Sequence, residues 1–448
     1  MSLITQECLI SLKSRSNGPI KVQIVSRGLP IENTFGGSAY ILDFMRYLQQ
    51  ADCEIEYVLL NSSPNGTIPW YIIPTYLAAL ANVSVQNNLQ IGRILLRFNS
   101  LSEWLTAPLL LLYNRLIPEK LKDFYRSARD ERKKKLGHAI ALQPWDTLVT
   151  PKELAFVNSR LVRFKPNVVV ANYAWLGSVF DASSFDESVL KVILTHDILH
   201  KRVADFRRMG ETSELSDWNW DNESAQLSKA QVLLAIQEEE AEILKKMAPS
   251  SEVIYMPMSV ICHSHDTRQV PGRCLFVGSS SPHNTHSLQW FLENVWPLVL
   301  QVAPYCSLHV CGSVCKQIQG SFSNVCLLGR VANLKPEYST AEVCLVPILM
   351  GSGLKIKLVE ALSYGRSCVS TSVGVQGLGE IAGSAVLVAD TAENFAAAIH
   401  KLLTNPEQRQ WMEEQARRYV SEKLSPQGVY QPFLEKIEQH IKQLPNRV

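Results

Sequence analysis

The sequence lacks several features that would assign it to a simple class. It has almost no charge imbalance, since 44 Lys and Arg residues face 42 Asp and Glu residues. This balance gives no argument for a nucleic-acid partner. The most apolar run, Leu105 to Leu112 with an extension to Ile117, is shorter than the roughly 20 residues of a spanning helix. The N-terminal residues also lack the apolar core and small-residue cleavage site of a secretory signal.

The cysteine spacing argues against disulfides and zinc. Eight of the ten cysteines lie at or after Cys262, and most sit inside apolar runs. Buried free thiols behave as small hydrophobic groups. Cys311 and Cys315 flank a short turn, but no second pair follows at zinc spacing. We therefore predict reduced thiols, a cytoplasmic chain and no metal site.

The length and composition are those of a globular protein with two or three domains. The chain has 448 residues, of which 46% are hydrophobic and 19% charged.

The most informative stretch of the sequence runs from Pro347 to Thr371. An apolar run ends at Pro347, a loop with Gly351 and Gly353 follows, and a helical pattern from Leu354 to Tyr364 ends at Gly365. A unit of this type presents backbone N–H groups and a helix N-terminus to an anion.

Three polar residues of this helix indicate the chemistry of the anion. Lys357 and Glu360 are three residues apart and share a face. Lys355 lies in the first turn, where a cation is unfavourable unless a phosphate is bound. An ammonium for a phosphate and a carboxylate for a sugar hydroxyl suit a nucleotide diphosphate. A surface helix with one Lys–Glu pair is the equally open alternative, because phosphate loops are degenerate patterns.

The first half of the chain opens with a second β–loop–α–β pattern. Val22 to Ser26 forms a strand, Gly36 and Gly37 lie in the loop, and Glu56 to Leu60 forms the next strand. This order is typical of a Rossmann-like domain, although GxGxxG is absent. The alternative for the glycine pair is a plain turn.

Two polar residues follow a later strand of the same domain. The strand Val192 to Leu194 leads directly into Thr195, His196 and Asp197. Ligands bind at the C-terminal ends of strands in open α/β sheets, so His196 and Asp197 are functional candidates. The alternative is a histidine that is hydrogen-bonded to the next loop.

Residues from about 69 to 150 are predicted to be a helical region. Apolar residues cluster between Ile94 and Leu112, and basic residues follow between Arg126 and Lys135. This combination leaves open peripheral contact with the inner face of an anionic membrane. Interspersed acidic residues favour a solvated helix face instead.

The second half repeats the strand–loop–helix pattern. A polar, aperiodic segment, residues 263–272, is predicted to be a linker. Strands are predicted from Cys274, Leu308, Val325, Glu342 and Val386 onward. The predicted domains are therefore residues 1–262 and residues 273–425, followed by a tail helix over residues 426–448.

The stretch after Val346 resembles the donor-site signature of retaining glycosyltransferases of GT-B fold, family 4. In the most similar subgroup the signature reads GSG-xxxK-xxEA and is followed by a Gly-x-x-Gly-Leu segment. This sequence has Gly351 to Gly353, Lys357, Glu360 with Ala361, and Gly374 to Leu378. The resemblance implies an α/β GT-B fold, with two Rossmann-like domains facing a central cleft. It further implies a hexosyltransferase-like enzyme of polysaccharide biosynthesis that uses a nucleotide-diphosphate sugar, a glycan or lipid-linked acceptor, and no cofactor or essential metal.

The resemblance also implies roles for individual residues. Lys357 would stabilise the departing diphosphate, Glu360 would accept hydrogen bonds from the ribose, and His196 with Asp197 would lie near the transferred sugar. Gly36 and Gly37 would line the cleft on the acceptor side. The expected donor-binding residues are Gly351, Ser352, Gly353, Leu354, Lys355, Glu360, Arg330, Ser279 and Asn284.

Two departures from the broad family pattern leave alternatives open. Ser352 stands where many members have a glutamate, and Ser279 stands where many have an arginine. His283 and Asn284 follow where a lysine is common. A GT-B-fold sugar-nucleotide epimerase and a non-catalytic nucleotide-sugar-binding scaffold are therefore the alternatives.

Overall fold

The structure is a computed structural model. It describes residues 18–32, 37–60, 69–98, 104–108, 147–208, 218–263, 268–351 and 354–444, without the side chains of residues 205–208. The chain divides into two compact units. Unit 1 comprises Met1–Ala235, Glu242–Ile254 and Phe433–Val448, and unit 2 comprises Ile236–Ala241 and Tyr255–Pro432. The long segment of unit 2 thus begins at Tyr255, earlier than the predicted linker at residues 263–272, and the chain returns to unit 1 at Phe433.

Unit 1 is built on a seven-stranded sheet in the order β10-β9-β8-β7-β1-β2-β4. The pairs from β9 through to β4 are parallel. The first ten strands of the chain are β1 (Lys21–Ser26), β2 (Glu54–Leu59), β3 (Trp70–Ile72), β4 (Asn82–Val85), β5 (Leu89–Ile91), β6 (Ile94–Leu96), β7 (Val168–Asn172), β8 (Leu190–Thr195), β9 (Val232–Ala235) and β10 (Glu252–Tyr255). The central strand β7 is buried along its whole length, as its apolar sequence requires.

Helices connect these strands. They are α1 (Gly37–Gln50), α2 (Thr75–Leu80), α3 (Pro151–Phe164), α4 (Leu199–Arg208), α5 (Trp220–Leu227) and α6 (Glu238–Met247), with a 3₁₀ segment at Ala174–Asp181.

The start of α3 shows how the sequence determines where a helix begins. The Thr150 side chain accepts a hydrogen bond from the Glu153 N–H, and the Glu153 carboxylate accepts one from the Thr150 N–H at 2.7 Å. This capping box satisfies N–H groups that the helix itself cannot pair.

The prediction of a helical region from residue 69 is wrong for residues 69–98. Apart from α2, these residues form the strands β3 to β6, and β3, β6 and β5 make a small antiparallel sheet. The apolar residues there alternate with a period of two, and a two-residue turn at Gly92 and Arg93 joins β5 to β6. Gly92 has a φ of +58°, as hairpin turns of this length favour. Residues 104–108 are helical, whereas 99–103 and 109–146 lie outside the described residues.

Unit 2 has a six-stranded sheet in the order β13-β12-β11-β14-β15-β16, and all its pairs are parallel. Numbered within the unit, this is the order 3-2-1-4-5-6 of a Rossmann fold. The strands are β11 (Arg273–Val277), β12 (Ser307–Cys311), β13 (Val325–Gly329), β14 (Val343–Val346), β15 (Cys368–Ser370) and β16 (Val386–Val388).

The helices of unit 2 fall close to the predicted positions. They are α7 (Pro282–Trp290), α8 (Trp296–Val302), α9 (Lys335–Thr340), α10 (Ile356–Ser363), α11 (Ala392–Thr404) and α12 (Pro406–Tyr419). The predicted tail helix is α13 (Pro426–Gln443). It continues through Pro432, and from Phe433 onward it belongs to unit 1, where Phe433 packs on Phe44 with the ring centroids 5.6 Å apart.

The predicted α/β class with two Rossmann-like domains is confirmed. In the part of the chain that the structure describes, no helix combines the length and the apolar character needed to cross a bilayer.

Candidate functional site

The candidate site of unit 2 lies where its strand order reverses. β11 and β14 are neighbours in the sheet, but the chain leaves them in opposite directions. Ligands of open α/β sheets bind outside the carboxyl ends of the strands at such a switch point. The residues that follow β11 lead into α7, and those that follow β14 lead into α10.

Glycine at position 312 allows the strand ends to approach one another. Gly312 follows β12 with a φ of +109°, and a Cβ there would clash with the carbonyl oxygen of Gly278 after β11. The Gly312 N–H also donates to the Gly329 carbonyl at 2.7 Å. The carboxyl ends of three strands are thereby held together.

Lys357 connects the two loops at the switch point. Its Nζ donates a hydrogen bond to Asn284 Oδ1 and lies 5.0 Å from the centre of the Phe276 ring. Asn284 Nδ2 in turn donates to Ser279 Oγ at 3.0 Å and to the Ser279 carbonyl at 3.2 Å. Lys357 thus forms one hydrogen-bonded cluster with the predicted donor-binding residues Ser279 and Asn284, although it lies 73 residues from Asn284 in the sequence.

Burial disfavours the charged forms of the two lysines at this site, Lys357 and Lys355. Burial lowers the pKa of Lys357 to about 7, and Lys355 nearby lowers it further in the same direction. Burial lowers the pKa of Lys355 to about 8, against an opposing effect of Glu240. Lys355 Nζ donates to the Gly351 carbonyl at 3.1 Å. An anion bound here would favour the charged form of both amines.

Glu360 lies one turn further along α10. Tyr338 Oη donates to Glu360 Oε2 at 3.2 Å. Burial raises the pKa of Glu360, and this hydrogen bond opposes the rise. The Tyr338 ring stacks on Tyr364 with the centroids 4.7 Å apart, and Tyr364 stacks on His263 at 4.0 Å. Sequence reasoning missed Tyr338, whose only signal was a single aromatic residue in a polar helix.

The other predicted donor-binding residues make no hydrogen bond to the cluster of Lys357, Asn284 and Ser279 among the contacts that the structure describes. Arg330 is exposed directly after β13, which lies two strands away from β11. Leu354 packs on the core of unit 2 and approaches Gly377, whose φ is +78°. Gly351 has a φ of +109° and lies beside the His283 ring. Ser352 and Gly353 lie outside the described residues.

Unit 1 has its own switch point, between β1 and β7, and His196 lies next to it after β8. His196 Nε2 is 2.7 Å from Asn172 Oδ1. Its ring centroid lies 4.2 Å from that of Tyr173. A Cβ on Gly37, the first residue of α1, would lie 3.0 Å from Tyr173 Oη and 3.4 Å from His196 Cε1. The predicted pair Gly37 and His196 is therefore close in space, and Gly36 lies outside the described residues.

The charge states around His196 follow from burial. Burial lowers the pKa of His196 to about 3, so that the imidazole is neutral at pH 7. Asp197 Oδ2 pairs with Arg202 Nη1 at 3.0 Å. Asp197 Oδ1 is buried without a hydrogen-bond partner among the described residues. Burial raises the pKa of Asp197, and Arg202 opposes that rise.

A buried glutamate that sequence reasoning missed holds the segment after His196. Glu223 accepts hydrogen bonds from the N–H groups of Leu199 and His200, both at 2.9 Å. It also contacts His200 Nδ1 at 2.7 Å. The carboxylate thus satisfies N–H groups at the start of α4 and fixes where the preceding histidine and aspartate lie.

Comparison with known proteins adds a family match for unit 2. Residues 271–405 match the family model described as "Glycosyl transferases group 1". An uncharacterized 44.6 kDa protein in the cps region of Klebsiella pneumoniae is 30% identical over 137 residues, which are 28% of this chain. The aligned part spans about a third of that curated relative, 35% of its length.

Solved structures match over nearly the whole chain. TarM has a TM-score of 0.60 and 12% identity, covering 93% of this chain and 98% of its own. A mutant of Staphylococcus aureus TarM has been solved with fondaparinux, alpha-GlcNAc-glycerol and UDP. HepE of Anabaena, in complex with UDP, has a TM-score of 0.59 and 12% identity, covering 94% of this chain and 100% of its own. These likenesses show that the chain has the GT-B fold.

Proposed function

We propose that this protein is a retaining glycosyltransferase of family 4 that moves a sugar from a nucleotide-diphosphate sugar to a glycan or lipid-linked acceptor. The observation that carries the proposal is the cluster of Lys357, Asn284 and Ser279, with Glu360 one turn away. It occupies the switch point of the unit that matches the glycosyltransferase family model. The complexes of TarM and HepE with UDP support a donor of this class.

The proposed chemistry is electrostatic. As the glycosidic bond breaks, negative charge develops on the diphosphate, and the Lys357 ammonium is placed to stabilise it in a partly desolvated site. Glu360 accepts hydrogen bonds from the ribose. The acceptor hydroxyl attacks the face that the diphosphate leaves, and its proton passes to the departing phosphate oxygen. We propose that His196 with Asp197 lies near the transferred sugar and that no metal is essential, because the amines supply the positive charge.

A sugar-nucleotide epimerase is the alternative reaction of the same ligand. Such an enzyme needs several carboxylates at the sugar, whereas the cluster around Lys357 offers an amine, an amide and a hydroxyl. Incubation with the donor alone separates the two reactions, since only an epimerase changes the sugar without an acceptor. A scaffold would bind the donor and leave it unchanged, with or without an acceptor.

The donor site can be tested by thermal unfolding with a panel of nucleotide-diphosphate sugars. A ligand at 100 times its Kd stabilises the native state by about 2.7 kcal/mol. We expect one donor to raise the Tm of the wild type. Glu360→Ala should weaken binding roughly 10- to 100-fold, because hydrogen bonds to a charged group contribute about 1.5–3 kcal/mol. Glu393→Ala, at an exposed position of α11, is the matched control. An unchanged Tm with every donor would contradict the proposed site.

We also propose peripheral contact between unit 1 and an anionic lipid surface. The register of the small sheet puts six apolar side chains on one face, and four of these are 45–59% exposed: Ile72, Leu89, Ile91 and Ile94. The basic residues between Arg126 and Lys135 follow in the sequence, although they lie outside the described residues. Apolar area together with basic residues is the combination that anionic bilayers attract.

The membrane proposal predicts co-flotation with vesicles that contain phosphatidylserine. The double change Ile72→Ser and Ile91→Ser should reduce the bound fraction at least about tenfold, since each buried apolar side chain contributes about 1.5–3 kcal/mol. Val302→Ser, at a position 54% exposed in unit 2, is the control for loss of an exposed apolar residue. Equal flotation of all three proteins, or none at low salt, would contradict the proposal.

A further inference from the structure

Three polar side chains line the carboxyl ends of adjacent strands in unit 1. Ser26 is the last residue of β1, Asn172 is the last residue of β7, and His196 follows β8. These strands are neighbours in the order β8-β7-β1. Ser26 and Asn172 are 2% and 8% exposed, so their hydrogen bonds are made inside the protein. Buried polar groups of this kind are costly unless they are paired in a defined way.

The hydrogen bonds run in one direction from Ser26 to His196. Ser26 Oγ donates its single proton to the Gly28 carbonyl at 3.2 Å, and therefore can only accept from Asn172 Nδ2 at 3.0 Å. This orients the amide so that Asn172 Oδ1 faces His196 Nε2 at 2.7 Å. A carbonyl oxygen has no proton to give, so Nε2 must carry one.

We propose that Asn172 is a positioning residue that fixes His196 as the neutral Nε2–H tautomer, with Nδ1 left as the hydrogen-bond acceptor. Ser26 sets the orientation of the Asn172 amide. The Cε1–Nδ1 edge of the ring lies toward Gly37, where a Cβ would be 3.5 Å from Nδ1. The absence of a side chain at Gly37 leaves this edge open.

The neighbouring aromatic residues keep the imidazole plane in place. Tyr173 lies against His196 on one side and stacks on Trp175 on the other, with the Tyr173 and Trp175 centroids 4.1 Å apart. Tyr173 has a φ of +87°, an uncommon value for a residue with a bulky side chain. Such strain persists where the surroundings enforce it, as they do in this stack.

The tautomer decides what His196 can recognise. A neutral imidazole with a free Nδ1 lone pair accepts a hydrogen bond from a hydroxyl, and it cannot donate one from that atom to a phosphate oxygen. In the proposed transferase, on which this consequence rests, His196 therefore meets a hydroxyl of the sugar or the acceptor. The position of the proton itself depends only on the protein.

The test is nitrogen NMR of the whole protein labelled with ¹⁵N-histidine, without any donor. His196→Phe assigns the resonances. We expect a protonated-type shift at Nε2 and an unprotonated-type shift at Nδ1 of His196, unchanged between pH 5 and 8. A protonated Nδ1 in the wild type would overturn the proposal. Because no ligand is used, this result is independent of whether the proposed transferase activity is correct.

Variants at Asn172 separate positioning from a merely structural role. Asn172→Asp keeps the acceptor and adds a charge, so the tautomer should be kept and the pKa of His196 should rise by roughly two units or more. Asn172→Leu should give a mixture of tautomers. Asn167→Asp, at the opposite end of β7, should leave the His196 signals unchanged. If Asn172→Leu has a native circular dichroism spectrum and His196 keeps the wild-type tautomer, the proposal is contradicted. If Asn172→Leu does not fold, Ser26→Ala is the second test: it removes the group that orients the Asn172 amide, so it should also give a mixture of His196 tautomers, and the pure wild-type tautomer would contradict the proposal.

Discussion

Replacing Lys357 with methionine is expected to lower kcat/KM for the proposed glycosyl transfer by about 10²–10³-fold. This is the usual effect of removing one preorganised group that stabilises charge in the transition state. The loss should fall mainly on kcat, because the charge of the diphosphate is greatest as the bond breaks. Methionine keeps most of the side-chain length and its packing on the Phe276 ring, which leaves the ammonium as the main difference.

Two controls make the Lys357 result specific. Lys357→Arg keeps the charge and should retain more activity than Lys357→Met, with some loss because the guanidinium does not reproduce the contact with Asn284. Lys316→Met removes an exposed lysine of the same unit and should have no effect. Equal activity of Lys357→Met and the wild type would show that this amine does not take part in the chemistry.

Donor affinity is expected to fall about 10²–10³-fold between pH 7 and pH 9. Free Lys357 and Lys355 have pKa values of about 7 and 8, so each loses its proton within this range. A bound diphosphate favours the charged amines and raises both pKa values. Binding therefore takes up protons, and by linkage the affinity is greatest at low pH and falls as the pH rises.

The pH effect can be measured by calorimetric titration with a nucleotide-diphosphate sugar, which has no ionisation of its phosphates near neutral pH. Titrations at pH 8 in two buffers of different ionisation enthalpy should show uptake of about 1.4 protons, given these pKa values. In Lys357→Arg the dependence should become shallower, because only Lys355 still titrates. A constant affinity from pH 7 to pH 9 would mean that neither lysine meets the diphosphate.

The sequence indicates the loop and helix around the proposed unit 2 site because their signals are local. Glycines at 351, 353 and 365 mark the ends of the loop and helix, and the spacing of Lys357 and Glu360 puts both on one face. The pairing of Lys357 with Asn284 was not predictable, because the two are 73 residues apart and meet only through the strand order. The resemblance indicates each of the two residues separately and does not indicate that they are in contact.

The contacts that sequence reasoning missed also depend on the order of the strands in the sheets. Asn172 and His196 meet because β7 and β8 are neighbours, and Tyr338 meets Glu360 because α9 precedes the strand before α10. No periodic pattern carries this information. In the small sheet, the apolar residues from Ile94 onward suggested a helix, whereas the positive φ at Gly92 reverses the chain and pairs β5 with β6.

The most direct test of the central claim is hydrogen exchange of the backbone amides with and without the donor that the thermal panel selects. With the donor at a concentration near the wild-type Kd, we predict slower exchange at residues 279–284 and at the first turns of α10 in the wild type, and much weaker protection in Glu360→Ala at the same donor concentration. Protection confined to unit 1, or absent from both loops of unit 2, would contradict a donor site at the switch point of β11 and β14.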